Sequence, residues 1–187
     1  MSILDILSKK AQESLSNLSV TEILDHAIIN GNQITVSDRK KLMIIKESYQ
    51  DYAIESITKE ETKVTSTRLC GEFFLKQLTN EPQENLVMIT LNTKNNVINY
   101  HKVFKGTLNS STAHPRDIMR LAISDNAARI VIAHNHPSGE TDPSSADLKF
   151  TSRLSEVGEI TGIELLDHII VGRNTYLSLR EDYSHYF

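Results

Sequence analysis

The chain reads His134-Asn135-His136-Pro137-Ser138-Gly139 directly after a short apolar run, Ala128–Ala133. An apolar run of this length is typical of a central strand in a sheet. Side chains alternate along a strand, so His134 and His136 share one face and can converge on one ion. The segment therefore predicts a buried strand that ends in a pair of candidate metal ligands.

The residues after the two histidines predict a turn followed by a helix. Pro137 and Gly139 break the strand and favour a turn. Ser144-x-x-Asp147 has the spacing of a capping box, in which the serine caps a helix and the acid three residues later bonds back to it. Such a cap and metal binding are compatible, because Asp147 has two carboxylate oxygens.

Two imidazoles on one face and a carboxylate at a nearby helix start form a ligand set that zinc accepts. Three such ligands leave the fourth position to water, whose pKa then falls to about 7. Taken singly, each histidine is more often a hydrogen-bonded residue, and Ser144-x-x-Asp147 is more often only a cap. The joint pattern favours a metal site on His134, His136 and Asp147.

Several other zinc enzymes are excluded by length or by missing motifs. Amidohydrolases and some metal phosphoesterases carry a His-x-His pair on barrels of about 200–250 residues, too large for this chain of 187 residues. The zinc deaminases need a Pro-Cys-x-x-Cys motif, but Cys70 is the only cysteine. A His-Glu-x-x-His helix is also absent. A compact hydrolase built on a mixed sheet remains.

Composition and charge give further expectations. No apolar run approaches the roughly 18 residues that span a bilayer, and the N-terminus lacks the basic region of a signal peptide. The single cysteine cannot form an internal disulfide, so we expect a cytoplasmic protein that makes no membrane contact. The net charge of −4 offers no large surface for nucleic acid, and the one basic cluster, Arg39-Lys40-Lys41, is typical of a solvated helix face.

Two domains are predicted: a helical module at residues 1–62 and a metal-binding domain at residues 63–187. In the module, apolar spacing predicts helices at 3–18, 19–31 and 37–52, followed by a polar linker at 58–63. In the second domain, helices are predicted at 67–78, 115–127 and 144–157, and strands at 84–91, 97–104, 128–133, 164–171 and 175–179. The expected fold class is α/β (α+β), a mixed sheet flanked by helices.

The pattern His134-x-His136-Pro137 with Ser144 and Asp147 matches the JAMM (MPN+, or JAB) motif of zinc-dependent isopeptidases. Four segments within residues 66–182 resemble the bacterial RadC branch of that family: Phe104-Lys105-Gly106-Thr107-Leu108-Asn109-Ser110, His114-Pro115-Arg116, Ala133–Gly139 and Leu166-Asp167-His168-Ile169-Ile170-Val171-Gly172.

The resemblance implies the JAMM/MPN fold, which is related to the cytidine deaminase architecture. It also implies one Zn²⁺ per chain on His134, His136 and Asp147, with Ser144 steadying the oxyanion. A glutamate from an earlier strand would be the general base, and the matching position is Glu84. Taken from the residues alone, Glu84 is more simply a solvated carboxylate at a strand end, and Glu81 is its competitor.

The implied activity is cleavage of peptide or isopeptide bonds in a peptide or protein substrate. One alternative is a module that binds DNA or a protein in DNA repair, with a structural or vestigial metal; another is a metal phosphodiesterase. RadC proteins usually carry glycine-containing helix-hairpin-helix segments. Only Gly31 occurs before Thr62, so these residues give DNA binding no support.

Three further groups of polar residues are weaker candidates. His168 is interpreted as a packed strand residue rather than a partner of a metal ligand. His114 and Arg116 fit the first turn of a helix. A polar loop is a candidate lining of a substrate groove: Thr107, Asn109 and Ser110.

Overall fold

The computed structural model describes residues 2–20, 22–24, 34–59, 62–106 and 114–187. The chain divides into two compact units, residues 1–53 and residues 54–187.

The first unit is helical. It contains a 3₁₀ turn at Ile3–Ile6, helix α1 at Lys9–Leu15 and the beginning of helix α2, which spans Val36–Lys59. Its core consists of small and aliphatic side chains: Leu7, Ala11, Leu15, Ile23, Leu24, Ile34 and Leu42.

The first helices differ from the prediction. The helix expected at residues 3–18 is interrupted, because Ser8 caps α1 and also donates its N–H and its hydroxyl to Asp38, at 2.9 and 2.6 Å. Helix α2 continues to Lys59 and so takes in the start of the predicted linker. Ser19 caps the predicted second helix by accepting from the Glu22 N–H at 3.3 Å. The predicted end of that helix at Gly31 lies outside the described residues.

The second unit is a five-stranded sheet with helices packed against it. Its helices are α3 (Thr67–Leu78), α4 (Pro115–Ser124), α5 (Ser145–Thr161) and α6 (Leu179–Asp182), with a final 3₁₀ turn at Ser184–Tyr186. Its strands are β1 (Asn85–Leu91), β2 (Val97–Lys105), β3 (Arg129–Asn135), β4 (Glu164–Val171) and β5 (Tyr176–Ser178). The strand order is β2-β1-β3-β4-β5; β3 and β4 are parallel, and the other neighbours are antiparallel. The predicted fold class, a mixed sheet flanked by helices, is confirmed.

Each face of the sheet has its own core. Helix α3 packs with Phe74 against the face formed by the odd-numbered residues of β1 and β3. Helices α4 and α5 cover the other face, where Leu154 of α5 packs with the even-numbered residues Ile130 and Ile132. His134 continues this even-numbered series, so its side chain lies on the face that α5 covers.

Near its C-terminal end, helix α5 packs closely on the backbone that leads into β4. Its buried residues, spaced as one helical stripe, are Asp147, Thr151, Leu154 and Gly158. A Cβ atom added to Gly158 would lie 2.6 Å from the Ile163 carbonyl oxygen, so only glycine allows this approach. Asp147, in the first turn of this helix, lies on the same buried stripe.

Within the described ranges, none of the helices combines the length and the apolar character that crossing a bilayer requires.

Candidate metal centre

Four side chains that can bind a metal ion converge at the end of β3. Glu84, His134, His136 and Asp147 each offer a ligand atom, and these atoms all lie within 4.8 Å of one another. His134 and Asp147 are buried, whereas Glu84 and His136 are partly exposed. The cluster is therefore open to solvent on the side of Glu84 and His136.

His134 occupies the centre of this cluster. Its Nε2 atom lies 3.0 Å from Nε2 of His136 and 3.4 Å from Oδ1 of Asp147. Strand β3 is paired on both sides here, with Leu86 opposite on β1 and Ile170 opposite on β4. The backbone that carries His134 is thus fixed by two neighbouring strands.

His136 lies just beyond β3, and main-chain hydrogen bonds hold it there. Its N–H donates to the Val171 carbonyl at 2.9 Å, which extends the pairing of β3 with β4 by one step. Its Nδ1 lies 3.0 Å from the Glu140 carbonyl, an acceptor only, so Nδ1 carries the hydrogen. In the neutral ring this leaves the lone pair on Nε2, which faces the cluster.

The close packing beside His136 depends on Gly172. The turn between β4 and β5 bonds to the turn after the histidines through the Arg173 N–H, which donates to the Gly139 carbonyl at 3.1 Å. A Cβ atom on Gly172 would lie 2.5 Å from that same oxygen. A larger residue at this position would therefore separate the two turns.

Ser144 and Asp147 form the capping box that the sequence predicts. Oδ2 of Asp147 accepts from the Ser144 N–H at 2.8 Å and from its hydroxyl at 2.6 Å. The hydroxyl in turn accepts from the Asp147 N–H at 3.2 Å. Because the cap uses Oδ2, the other oxygen, Oδ1, is the one that faces His134 Nε2.

The charge of Asp147 is stabilised within the cluster. Burial raises the pKa of this carboxyl, but the neighbouring His136 and His134 and the hydrogen bonds from Ser144 outweigh it, so the pKa lies below the usual range. The hydrogen bond with Asp147 also raises the pKa of His136, and this effect is larger than the lowering that its partial burial causes. Asp147 therefore presents an ionised carboxylate to the other ligand atoms.

A buried chain of hydrogen bonds connects His134 to the backbone of Asp147. The Thr151 hydroxyl donates to the Asp147 carbonyl at 2.7 Å and lies 2.7 Å from Nδ1 of His168. Nε2 of His168 lies 2.8 Å from Nδ1 of His134. Both histidines and Thr151 are fully buried.

The donor and acceptor roles along this series of hydrogen bonds follow from its last member, the Asp147 carbonyl. A carbonyl oxygen only accepts, so the single Thr151 hydrogen is used there, and Nδ1 of His168 must donate to the hydroxyl. Burial lowers the pKa of His134 to about 4 and that of His168 well below its ordinary value, so both rings are neutral at pH 7. Nε2 of His168 then accepts from His134 Nδ1–H, and the lone pair of His134 is left on Nε2.

The residues present fit a metal ion. Nε2 of His134 and Nε2 of His136 are each left as acceptors by the bonds that their Nδ1 atoms make. Oδ1 of Asp147 faces the same point. An N/N/O set of this kind, with outer hydrogen bonds that fix the tautomers, suits a divalent transition metal.

The other sequence candidates occupy different positions. Glu84, rather than Glu81, belongs to the cluster. His114 caps α4 by accepting from the Arg116 N–H at 3.1 Å, so both residues lie at the helix start, as their sequence suggests. The predicted polar loop at residues 107–110 lies outside the described residues.

Sequence reasoning missed Thr151 and Asn135. Its interpretation of His168 as a packed strand residue rather than a partner of a metal ligand was wrong, because Nε2 of His168 lies 2.8 Å from Nδ1 of His134. Thr151 follows Asp147 by one helical turn, and this spacing was a signal that the two share a face. The contact of His168 with His134, in contrast, depends on the register of β3 and β4, which the sequence does not reveal. Asn135 lies between the two histidines in the sequence, and strand alternation was the signal that its side chain lies on the opposite face.

We expect His168→Leu to weaken metal binding by roughly 10- to 100-fold, because it leaves the buried His134 Nδ1–H without an acceptor. His168→Gln is the matched control, since its amide can accept from His134 and donate to Thr151. Titration against a chromophoric zinc chelator measures the affinity, and circular dichroism verifies the fold. Equal affinity for His168→Leu and the wild type would contradict this expectation.

Comparison with known proteins gives consistent results. Residues 64–184 match the family model described as a RadC-like JAB domain. A UPF0758 protein of Enterococcus faecalis is 51% identical over 120 residues, which cover 64% of this chain and 52% of that protein. A UPF0758 protein of Clostridium perfringens is 36% identical over 193 residues, covering 96% and 84% of the two chains. A third, of Listeria monocytogenes, is 39% identical over 169 residues, covering 90% and 74%. The chain thus spans about half the length of the Enterococcus relative.

Proposed function

Because this chain belongs to the RadC-like JAB domain family, as its motifs predict, we propose that it is a zinc-dependent hydrolase of amide bonds in peptide or isopeptide linkages. The observation that carries the proposal is the position of Glu84. Its carboxylate lies within 4.8 Å of the ligand atoms of His134, His136 and Asp147, and it is partly exposed. A purely structural site would not need an accessible carboxylate beside three ligands.

In this proposal His134, His136 and Asp147 hold one Zn²⁺ per chain. When bound, zinc supplies a Lewis acid and brings the pKa of a water molecule down to about 7. His134 and His136 contribute their Nε2 lone pairs, and Asp147 contributes Oδ1. Because the cap keeps Oδ2 occupied, the carboxylate is held in one orientation.

Glu84 is assigned the role of general base. It lies at the solvent side of the cluster, where a water molecule and a substrate carbonyl have access. A carboxylate there can take a proton from the attacking water and transfer it to the leaving amine. An amide substrate requires this transfer to the nitrogen, because without the proton the nitrogen would have to leave as a strongly basic amide anion.

Ser144 is assigned to the carbonyl oxygen of the substrate. In this structure its hydroxyl donates to Oδ2 of Asp147, while its N–H donates to the same oxygen. The N–H bond alone keeps the carboxylate capped when the hydroxyl turns to a new acceptor. Ser144 can then donate to the oxyanion that develops during attack.

The test is turnover by untagged protein loaded with zinc, on peptide and isopeptide substrates. We expect amide cleavage that a chelator removes and added zinc restores. Cleavage of phosphate diesters without amide cleavage would replace the proposal with a phosphodiesterase. A salt-sensitive DNA complex that survives His136→Ala, with no turnover on any of these substrates, would replace it with a binding module.

A further inference from the structure

Asn135, the residue between the two histidines, makes an unusually complete set of hydrogen bonds. Its side-chain oxygen accepts from the Asn85 N–H at 2.8 Å. Its amide nitrogen donates to the carbonyls of Glu81 and Gln83, at 3.3 and 3.1 Å. Asn135 is only 2% exposed, so this amide is held by the protein rather than by solvent.

All three bonds reach one short segment of backbone, residues 81–85, and Glu84 is part of that segment. The orientation of the amide is determined by its partners, because a reversed amide would place its oxygen against two carbonyls and its NH₂ against an N–H. Neither aspartate nor leucine, the residues closest to asparagine in size, can make the same three bonds. The contact therefore requires asparagine in particular.

The bonds of Asn135 lie where regular strand pairing ends. On the β3 side, the pairing of β1 ends with Leu86 opposite His134. On the β2 side, the Gly106 N–H donates to the Glu84 carbonyl at 2.8 Å. The Asn135 side chain thus continues the attachment to β3 past the last paired residue, next to Glu84.

We propose that Asn135 is a positioning residue that fixes the carboxylate of Glu84 relative to His134 and His136. This inference rests on the proposed function, in which Glu84 is the general base. Alternation along β3 directs the two histidines to the face that α5 covers and Asn135 to the other face. The end of β3 therefore carries the two histidine ligands on one face and holds the general-base segment with the other. The two parts of the site are thereby held at a fixed separation.

The consequence for the reaction is geometric. A displacement of about 1 Å at a reacting group can cost up to 10²-fold in rate. Loss of the Asn135 bonds leaves the metal ligands in place but removes the attachment of the segment 81–85 to β3, so that the segment is held only from the β2 side. We expect kcat to fall by 10- to 100-fold while the bound zinc is unchanged.

The first measurement is amide hydrogen exchange of Asn85 by NMR on ¹⁵N-labelled protein, which requires neither zinc nor a substrate. In Asn135→Leu the Asn85 N–H loses its acceptor, and its exchange should accelerate at least tenfold. In Asn135→Asp the acceptor remains and only the two donors are lost, so the same amide should stay protected. Unchanged exchange in a folded Asn135→Leu would overturn the proposal.

The second measurement is a double-mutant cycle on the zinc-loaded protein. If Asn135 acts through Glu84, Asn135→Asp should lower kcat in the wild type but have no further effect in a Glu84→Gln background. An equal loss in both backgrounds would overturn the proposal. Wild-type protein without amide turnover would instead contradict the proposed function, and the exchange result would still decide whether Asn135 holds the segment. If Asn135→Leu does not fold, the kinetic cycle with Asn135→Asp still tests the proposal.

Discussion

Replacing Asp147 with asparagine is expected to reduce bound zinc from about one ion per chain, the content of a mononuclear site, to none after dialysis. The cap determines how the new amide is oriented. The N–H and hydroxyl of Ser144 both donate to Oδ2 of Asp147, so the asparagine oxygen will take that position. Its NH₂ group then occupies the place of Oδ1, next to His134 Nε2. A hydrogen-bond donor thus replaces a metal ligand, while the helix start keeps its cap.

Plasma mass spectrometry on untagged protein measures the metal content. His136→Ala should lose zinc as well, because it removes a second ligand. Asp125→Asn is the matched control: Asp125 accepts from Thr90 and pairs with His101 at 2.7 and 2.6 Å, away from the cluster. It should retain the metal. Wild-type protein that binds no zinc even after addition would leave Ser144 and Asp147 as a helix cap only, and the hydrolase proposal would fail.

The parts of this fold that were predictable are those that depend on local pattern. Helix α3 begins and ends where the sequence predicts, because Ser66 caps it and accepts from the Leu69 N–H at 3.3 Å. Strand β4 also has its predicted bounds. The convergence of His134 and His136 follows from the two-residue period of a strand, and Asp147 follows from a capping pattern. Each of these signals lies within a few residues of its effect.

The parts that were not predictable depend on pairing between distant segments. The helix expected at residues 3–18 is interrupted because Asp38, 30 residues away from Ser8, bonds to it. The contacts of His168 with His134 and of Asn135 with Asn85 arise only when β4 and β1 are in register with β3. No local pattern specifies that register. Periodicity therefore identified the metal ligands but not the side chains that orient them.

Glu84→Gln is expected to lower kcat for amide hydrolysis by roughly 10²- to 10⁴-fold, the usual contribution of a general acid–base group. The zinc content should be unchanged, because His134, His136 and Asp147 remain. Glutamine has nearly the same size and can keep hydrogen bonds, but it cannot accept a proton from water. A loss of turnover with the metal still bound would therefore be a loss of proton transfer.

Glu81→Gln is the matched control, because sequence alone left Glu81 and Glu84 as competitors for the same role. Only Glu84 lies in the cluster. Glu81 contributes its backbone carbonyl, which accepts from Asn135, and a change of its side chain leaves that bond intact. Steady-state kinetics should thus find Glu81→Gln close to the wild type. A large loss in Glu81→Gln with normal turnover in Glu84→Gln would reverse the assignment, and a large loss in both would mean that the segment as a whole, rather than one carboxylate, supports the reaction.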